Sequence, residues 1–131
     1  MILGTGIDII EVARIRQALE RHGEAFVRRV FTPAEIALAP AAPAAAAAFY
    51  AGRWAAKEAV AKTLGTGIGA ACAWTDLQVL RQPSGAPRLE LAGAAAATAQ
   101  RLAIARIHLS ISHLKETACA VAVAEGATAT S

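Results

Sequence analysis

The sequence predicts an α+β fold in which an antiparallel sheet packs against one long central helix. Two observations support this class. An alanine-rich stretch containing Lys and Glu, all good helix formers, runs up to Gly65 and is apolar enough to be buried. Short β-branched or alternating segments lie on both sides of it, and they do not alternate regularly with helices as in a parallel α/β fold. A chain of 131 residues fits one domain.

The N-terminal elements are a strand and a helix. Residues 1–10 form a β-branched run, which predicts the first strand. Residues 11–22 have helical periodicity. Its predicted inner face consists of Val12, Ile15, Leu19 and His22.

A short helix and the central helix follow. Thr32 and Glu35 have the spacing of a capping box, and Pro33 occupies the first helical position, so a short helix begins there. Pro40 ends it. The low-complexity segment 40–48 is predicted to be a loop that becomes helical from about Pro43. The central helix then ends at Gly65, where a left-handed cap is expected.

The C-terminal half supplies the rest of the sheet. Residues 74–80 and 87–91 are predicted strands joined by the turn at residues 82–85, and residues 93–103 form an alanine-rich helix. Residues 107–112 alternate between apolar and polar side chains and pair with a strand at residues 117–125. Residues 126–131 are small and polar, and we expect them to be a disordered tail.

Composition narrows the possible partners. The net charge of +3 favours acidic partners only weakly, and the scattered basic residues and few aromatics predict no nucleic-acid interface. The longest uncharged run, residues 36–52, is too short to span a membrane and contains two prolines. We expect no membrane association. The chain has no secretory signal and two cysteines without C-x-x-C spacing, so a cytoplasmic location with reduced thiols is predicted.

Charged residues inside otherwise apolar elements are the candidate chemistry. Asp8 lies within the first strand, and Glu58 and Lys62 are four residues apart on one face of the central helix. One interpretation is a surface Glu58–Lys62 ion pair, with Asp8 facing outward from an edge strand. The other is that Asp8 and Glu58 converge on Mg²⁺, which takes one or two protein carboxylates and completes its shell with water and substrate phosphates.

Three segments together resemble a known family. The segment GIDIIEVARI at residues 6–15 resembles the first signature of the holo-acyl-carrier-protein synthases. RWAAKEA at residues 53–59, followed by Lys62 and Gly65-Thr66-Gly67, resembles the second, and SISH at residues 110–113 resembles the third. The three segments also occur in the order and at about the spacing of the family's signatures. The resemblance covers residues 1–125 and implies one domain with the 4'-phosphopantetheinyl transferase fold.

The resemblance implies an activity and roles for the charged residues. Enzymes of this family transfer 4'-phosphopantetheine from coenzyme A to a serine of apo acyl carrier protein, with Mg²⁺. Asp8 and Glu58 would hold the Mg²⁺, and Lys62 would contact the phosphates of coenzyme A. A water linked to Glu58 would take the serine proton.

Further coenzyme A and partner residues follow from the same resemblance. The implied coenzyme A contacts are Arg53, Lys62, Gly65, Thr66, Gly67, Ser112 and His113. Arg53 is about 140 degrees from Glu58 around the helix, so the two residues do not easily serve the same metal centre. The resemblance assigns Arg53 to the 3'-phosphate, in a site between neighbouring subunits of a homotrimer, and such a shared site would accommodate both residues. Arg14 and Arg21 lie on one stripe of the first helix and would contact the acidic helix of acyl carrier protein, although a solvated face is the ordinary interpretation.

Two other classes of function remain open from the sequence. One is a module that binds acyl carrier protein without catalysis, which the presence of Asp8, Glu58 and Lys62 disfavours. The other is a different metal-dependent nucleotide enzyme with the same carboxylate pair. A transferase that acts on carriers of polyketide or peptide synthases is a variant of the favoured chemistry.

Overall fold

A computed structural model describes residues 1–128. Its elements in order are β1 (Ile2–Glu11), α1 (Val12–His22), α2 (Glu24–Val30), α3 (Pro33–Ala37), α4 (Pro43–Thr63), β2 (Leu77–Arg81), β3 (Pro87–Leu91), α5 (Gly93–Arg101), β4 (Ile104–His113) and β5 (Thr117–Gly126). The predicted α+β class is confirmed. None of the helices in the described residues has the length and apolar character needed to cross a membrane.

The main sheet has three antiparallel strands in the order β1-β5-β4, and β2 and β3 form a separate hairpin. Helix α4 covers one face of the main sheet, where every second residue of β5 is a buried alanine. These small side chains let the helix approach the strands closely. Gly6 of β1 is needed for the same reason, since a Cβ there would lie 2.0 Å from the Ala59 carbonyl oxygen of α4.

The central helix begins at Pro43, as predicted, and its interior is almost entirely buried. Its C-terminus is closed by Gly65 in the left-handed conformation, with φ of 77°. The predicted capping box of α3 is also present, because Thr32 and Glu35 each accept a hydrogen bond from the other's backbone N–H. The capping box therefore sets the start of α3, and Gly65 sets the end of α4.

Four expectations need correction. Residues 24–30 form α2, which the sequence pattern did not predict, and Gly23 with φ of 49° separates it from α1. His22 is exposed because α1 ends there. Trp74 lies in a 3₁₀ turn, and the strand begins three residues later, at Leu77. Gly126 is part of β5, where its N–H donates to the Met1 carbonyl oxygen, so the predicted tail begins later; residues 129–131 of that tail lie outside the described residues.

Candidate active site

Asp8, Glu58 and Lys62 form a cluster, here called the acidic site, where β1 meets the C-terminal half of α4. β1 is an edge strand, but Asp8 is on its α4-facing side, as Gly6 is, so the outward orientation considered from sequence is wrong. The Lys62 ammonium donates to Asp8 Oδ1 at 3.0 Å and to the Ile7 carbonyl oxygen at 2.9 Å. Lys62 therefore pairs across to β1, and the Glu58–Lys62 ion pair considered from sequence is not formed.

The carboxylates of the acidic site are close enough to affect each other. Partial burial raises the pKa of Glu58, the nearby Asp8 charge raises it further, and Lys62 opposes the shift. Asp8 Oδ2 is buried and has no hydrogen-bond partner in the described residues. A buried carboxylate oxygen without a donor is unfavourable unless a cation or ligand binds it.

These residues fit a divalent cation with few protein ligands. Asp8 Oδ2 is an unused hard oxygen donor, and a bound cation would relieve its repulsion with Glu58. No group of three or more potential metal ligands occurs in residues 1–128, which excludes a cage made entirely of side chains there. Two carboxylates suit Mg²⁺, which retains water and binds substrate phosphates.

Lys57, the neighbour of Glu58 in the signature, does not belong to the acidic site. Its ammonium is fully buried and donates to Glu35 Oε1 at 2.6 Å and to the carbonyl oxygens of Val30 and Trp74. Glu35 Oε2 in turn accepts from the Val79 N–H at 3.0 Å. This buried pair joins α4 to α2, α3 and β2, and no sequence pattern assigned it a role.

Arg53 lies on the other side of α4, in what we call the cationic recess: Arg53, Arg81 and His113 around an open cavity of about 300 Å³. Its Nε donates to the Val79 carbonyl oxygen at 3.2 Å, and its guanidinium lies 3.9 Å from the centroid of the Phe49 ring. Burial and then the charge of Arg81 lower the pKa of Arg53 to about 10, with Glu35 opposing the shift. It nevertheless remains charged at neutral pH.

The other predicted coenzyme A residues do not lie together: His113 and Ser112 are on opposite faces of the main sheet, and residues 65–67 are in the loop after α4. His113 lies in the cationic recess, whereas Ser112 is exposed on the opposite face of the main sheet. The N–H groups of Gly65, Thr66 and Gly67 donate to carbonyl oxygens at the end of α4. These N–H groups are therefore already engaged within the chain, although the surface beside both glycines is open.

The predicted docking residues Arg14 and Arg21 are both exposed on α1, and neither forms an ion pair within the described residues. Arg28 lies on the separate helix α2 and pairs with Glu24 at 3.4 Å. The exposed stripe on α1 thus has two arginines whose charge is not neutralised by neighbours in residues 1–128.

Comparison with known proteins places the chain in a family and agrees with its fold. Residues 4–122 match the family model of the 4'-phosphopantetheinyl transferase superfamily. The chain is 46% identical over 125 residues to the holo-[acyl-carrier-protein] synthase of Koribacter versatilis, covering 95% of this chain and 99% of the relative. It is 47% identical over 126 residues to that of Solidesulfovibrio magneticus, covering 96% and 100%.

Solved structures of related proteins have the same fold. The holo-[acyl-carrier-protein] synthase of Neisseria meningitidis superimposes with a TM-score of 0.86 at 34% identity, covering 95% of this chain and 99% of that one. The Helicobacter pylori enzyme in complex with coenzyme A gives 0.82 at 32% identity, covering 92% and 99%. The chain therefore belongs to the 4'-phosphopantetheinyl transferase superfamily and, within it, to the holo-[acyl-carrier-protein] synthases.

Proposed function

We propose that the acidic site is where this chain transfers 4'-phosphopantetheine from coenzyme A to a serine of apo acyl carrier protein. The observation that carries this assignment is the buried Asp8 Oδ2, which has no partner beside a second carboxylate with a raised pKa. A lysine next to them adds positive charge at the same place. The cluster has the ligands for Mg²⁺ and a cation for phosphate oxygens, as this reaction requires.

The reaction is a phosphoryl-type displacement. The serine oxygen of the carrier forms a bond to the β-phosphorus of coenzyme A, and the bond from that phosphorus to the bridging pyrophosphate oxygen breaks. Adenosine 3',5'-bisphosphate leaves with the bridging oxygen, and the serine proton passes to a base. The nucleophile comes from the protein substrate, so this chain need supply only positioning, positive charge and a proton acceptor.

Asp8 and Glu58 would hold Mg²⁺, which supplies Lewis-acid stabilisation of the developing phosphate charge when bound. Lys62 already donates two of its three ammonium hydrogens to β1, which fixes the side chain and leaves the third for a phosphate oxygen. Glu58, acting through a water, is the proposed acceptor of the serine proton. Its raised pKa makes it a better base than an ordinary glutamate.

The remaining coenzyme A contacts are proposed from the family pattern together with the geometry. Arg53 and His113 would bind the 3'-phosphate in the cationic recess, where Arg53 is already held by Val79 and Phe49. Gly65, Thr66 and Gly67 would border the nucleotide through their open surface, because their N–H groups are engaged. Ser112 faces away from Arg53, so it would contact a coenzyme A bound to another subunit.

We also propose a homotrimer with sites shared between subunits. The face of the main sheet opposite α4 exposes a contiguous apolar patch, since Ile7 and Ile9 are 67% and 69% exposed and Ile7 pairs with Val121 in register. A second copy of the chain would cover it. Arg53 is directed toward β2 and Glu58 toward β1, so two subunits could present both to one coenzyme A.

Arg14 and Arg21 are the proposed docking residues for acyl carrier protein, because they are exposed and retain uncompensated charge. A cytoplasmic site of action is proposed as well, in keeping with free Cys72 and Cys119.

Incubation with apo acyl carrier protein, coenzyme A and Mg²⁺ tests the activity. Mass spectrometry should detect a carrier that has gained one phosphopantetheine. Asp8→Asn and Glu58→Gln should each abolish the transfer while retaining the circular dichroism spectrum of the wild type. A wild-type protein that binds the carrier without modifying it would indicate the non-catalytic binding module instead.

The shared site is tested by mixing variants. Co-expressed Arg53→Ala and Glu58→Ala chains should recover part of the activity that each lacks, because some mixed sites contain both wild-type residues. Light scattering establishes the oligomeric state of the same samples. Full activity of a monomer, or a mixed oligomer with no recovered activity, would contradict the proposal.

A further inference from the structure

Arg81, at the end of β2, belongs to the cationic recess although neither its position in the sequence nor the family signatures single it out. It lines the same cavity as Arg53 and His113, with Phe49 and Gly52 of α4 forming part of the wall. β2 also supplies the Val79 carbonyl oxygen that orients Arg53. β2 thus orients Arg53 through the Val79 carbonyl oxygen and also contains Arg81.

The charges in the recess are not neutralised. No ion pair involves Arg53, Arg81 or His113 anywhere in residues 1–128, whereas Arg28, Arg88 and Lys62 each pair with a carboxylate. The carboxylate that influences Arg53 is Glu35, and it is fully buried and bound to Lys57. Two guanidinium groups and an imidazole therefore face one open cavity without a protein anion.

The donor geometry is suited to an anion with several oxygens. Nε is the one donor of Arg53 with a protein acceptor in the described residues, which leaves its other four N–H donors for a ligand. Phe49 and Val79 fix the plane of that guanidinium before any ligand binds. Planar guanidinium groups bind phosphate through paired hydrogen bonds, and a second arginine provides the charge that a dianion needs.

Coenzyme A has two kinds of phosphate, and only one suits this recess. Each phosphate of its pyrophosphate bridge carries a single negative charge, whereas the 3'-phosphate is a terminal monoester that approaches a dianion at neutral pH. We propose that Arg81 is a specificity-determining residue that binds the 3'-phosphate together with Arg53 and His113, so that the protein selects coenzyme A over 3'-dephospho-coenzyme A. This assignment rests on the proposed coenzyme A site.

The test compares binding of coenzyme A and 3'-dephospho-coenzyme A by calorimetry, without acyl carrier protein and at fixed ionic strength. Arg81→Gln should weaken coenzyme A binding by about tenfold, the loss expected for one charge-assisted contact. Binding of 3'-dephospho-coenzyme A should not change, because the group that Arg81 contacts is missing. Arg81→Lys should retain part of the preference, since it keeps the charge but loses the paired geometry.

Arg88→Gln is the matched control. Arg88 lies on β3 of the same hairpin and pairs with Glu90 at 2.8 Å, so its loss should alter neither affinity. The proposal would be overturned if Arg81→Gln weakened the binding of both ligands equally or of neither. It would also be overturned if the wild type bound coenzyme A and 3'-dephospho-coenzyme A with equal affinity. A wild type that prefers coenzyme A in an Arg81-dependent manner but transfers nothing would contradict the proposed function alone.

Discussion

Lys57→Met tests whether the lysine beside Glu58 in the signature is structural or catalytic. The change removes the ammonium but keeps the length and apolar character of the side chain. In the wild type this group is fully buried and donates to Glu35, Val30 and Trp74. The variant would leave the Glu35 carboxylate in the interior without a cation. Breaking a buried pair in this way costs about 3–5 kcal/mol of unfolding free energy.

The expected loss can be expressed as a melting temperature. An unfolding entropy of about 2.1 cal/mol/K per residue gives about 0.28 kcal/mol/K for the whole chain. A loss of about 3–5 kcal/mol therefore lowers the melting temperature by about 11–18 °C. Since domains of this size have about 5–15 kcal/mol of stability, the variant should still fold at low temperature.

Thermal melting followed by circular dichroism measures this change, and Lys115→Met is the matched control because Lys115 is exposed and unpaired in the described residues. The control should remain within about 0.5 kcal/mol of the wild type. Transfer activity well below the melting temperature should be retained in Lys57→Met, because a fully buried ammonium cannot contact substrate. An unchanged melting temperature combined with lost activity would refute the structural role.

The double variant Lys57→Met with Glu35→Gln separates the charge from the hydrogen bonds. Removing both charges should cost less than the sum of the two single changes, since neither partner is then left as an unpaired ion. Some loss should remain, because the Gln amide nitrogen can lie against the Val79 N–H that donates to Glu35 in the wild type. Additive losses would mean that the two groups are not coupled.

Three further predictions concern the approach of α4 to β1, the acidic site and the docking stripe. Gly6→Ala should destabilise the protein by about 3 kcal/mol in a urea titration, because its Cβ would overlap the helix backbone, whereas Gly69→Ala, with nothing within 4 Å of the added Cβ, should be neutral. The raised pKa of Glu58 means that its negative charge opposes folding at pH values above its folded-state pKa. Glu58→Gln should therefore melt at a higher temperature than the metal-free wild type at pH 7, and this difference should disappear below pH 4.5, where the wild-type carboxyl is protonated in both states. The variant should also gain no stability from added Mg²⁺. Arg14→Glu and Arg21→Glu should raise the KM for acyl carrier protein without changing coenzyme A binding, and the same KM at low and high salt in the wild type would exclude this stripe from docking.

The sequence was sufficient for the class of fold and for the residues of the acidic site. A carboxylate inside a β-branched strand and another inside an apolar helix are unfavourable without a partner, so residue type and position alone make Asp8 and Glu58 candidates. Gly65, Pro43 and the Thr32–Glu35 box are local signals, so they predicted the element limits correctly. What these signals could not provide was the partner of each charge.

Long-range pairing explains the features that were missed. Glu35 was already accounted for by its capping box, and its bond to Lys57 joins residues 22 positions apart, which no local pattern predicts. Arg81 resembles any exposed arginine at a strand end until the hairpin brings it beside Arg53. Residues 24–30 lack a start signal of their own, because α2 begins directly after the positive-φ Gly23.

The spacing within α4 explains how one helix serves both clusters. Residues four apart on an α-helix differ by about 40 degrees, and those five apart by about 140 degrees. Arg53 and Lys57 therefore share one face, and the structure links them through Glu35 and Val79. Glu58 and Lys62 share another face, toward β1. The separation of the two clusters is thus set by the rigid backbone of a buried helix, so a substitution that shifts α4, such as Gly6→Ala, should impair the acidic site even though Gly6 itself carries no chemistry.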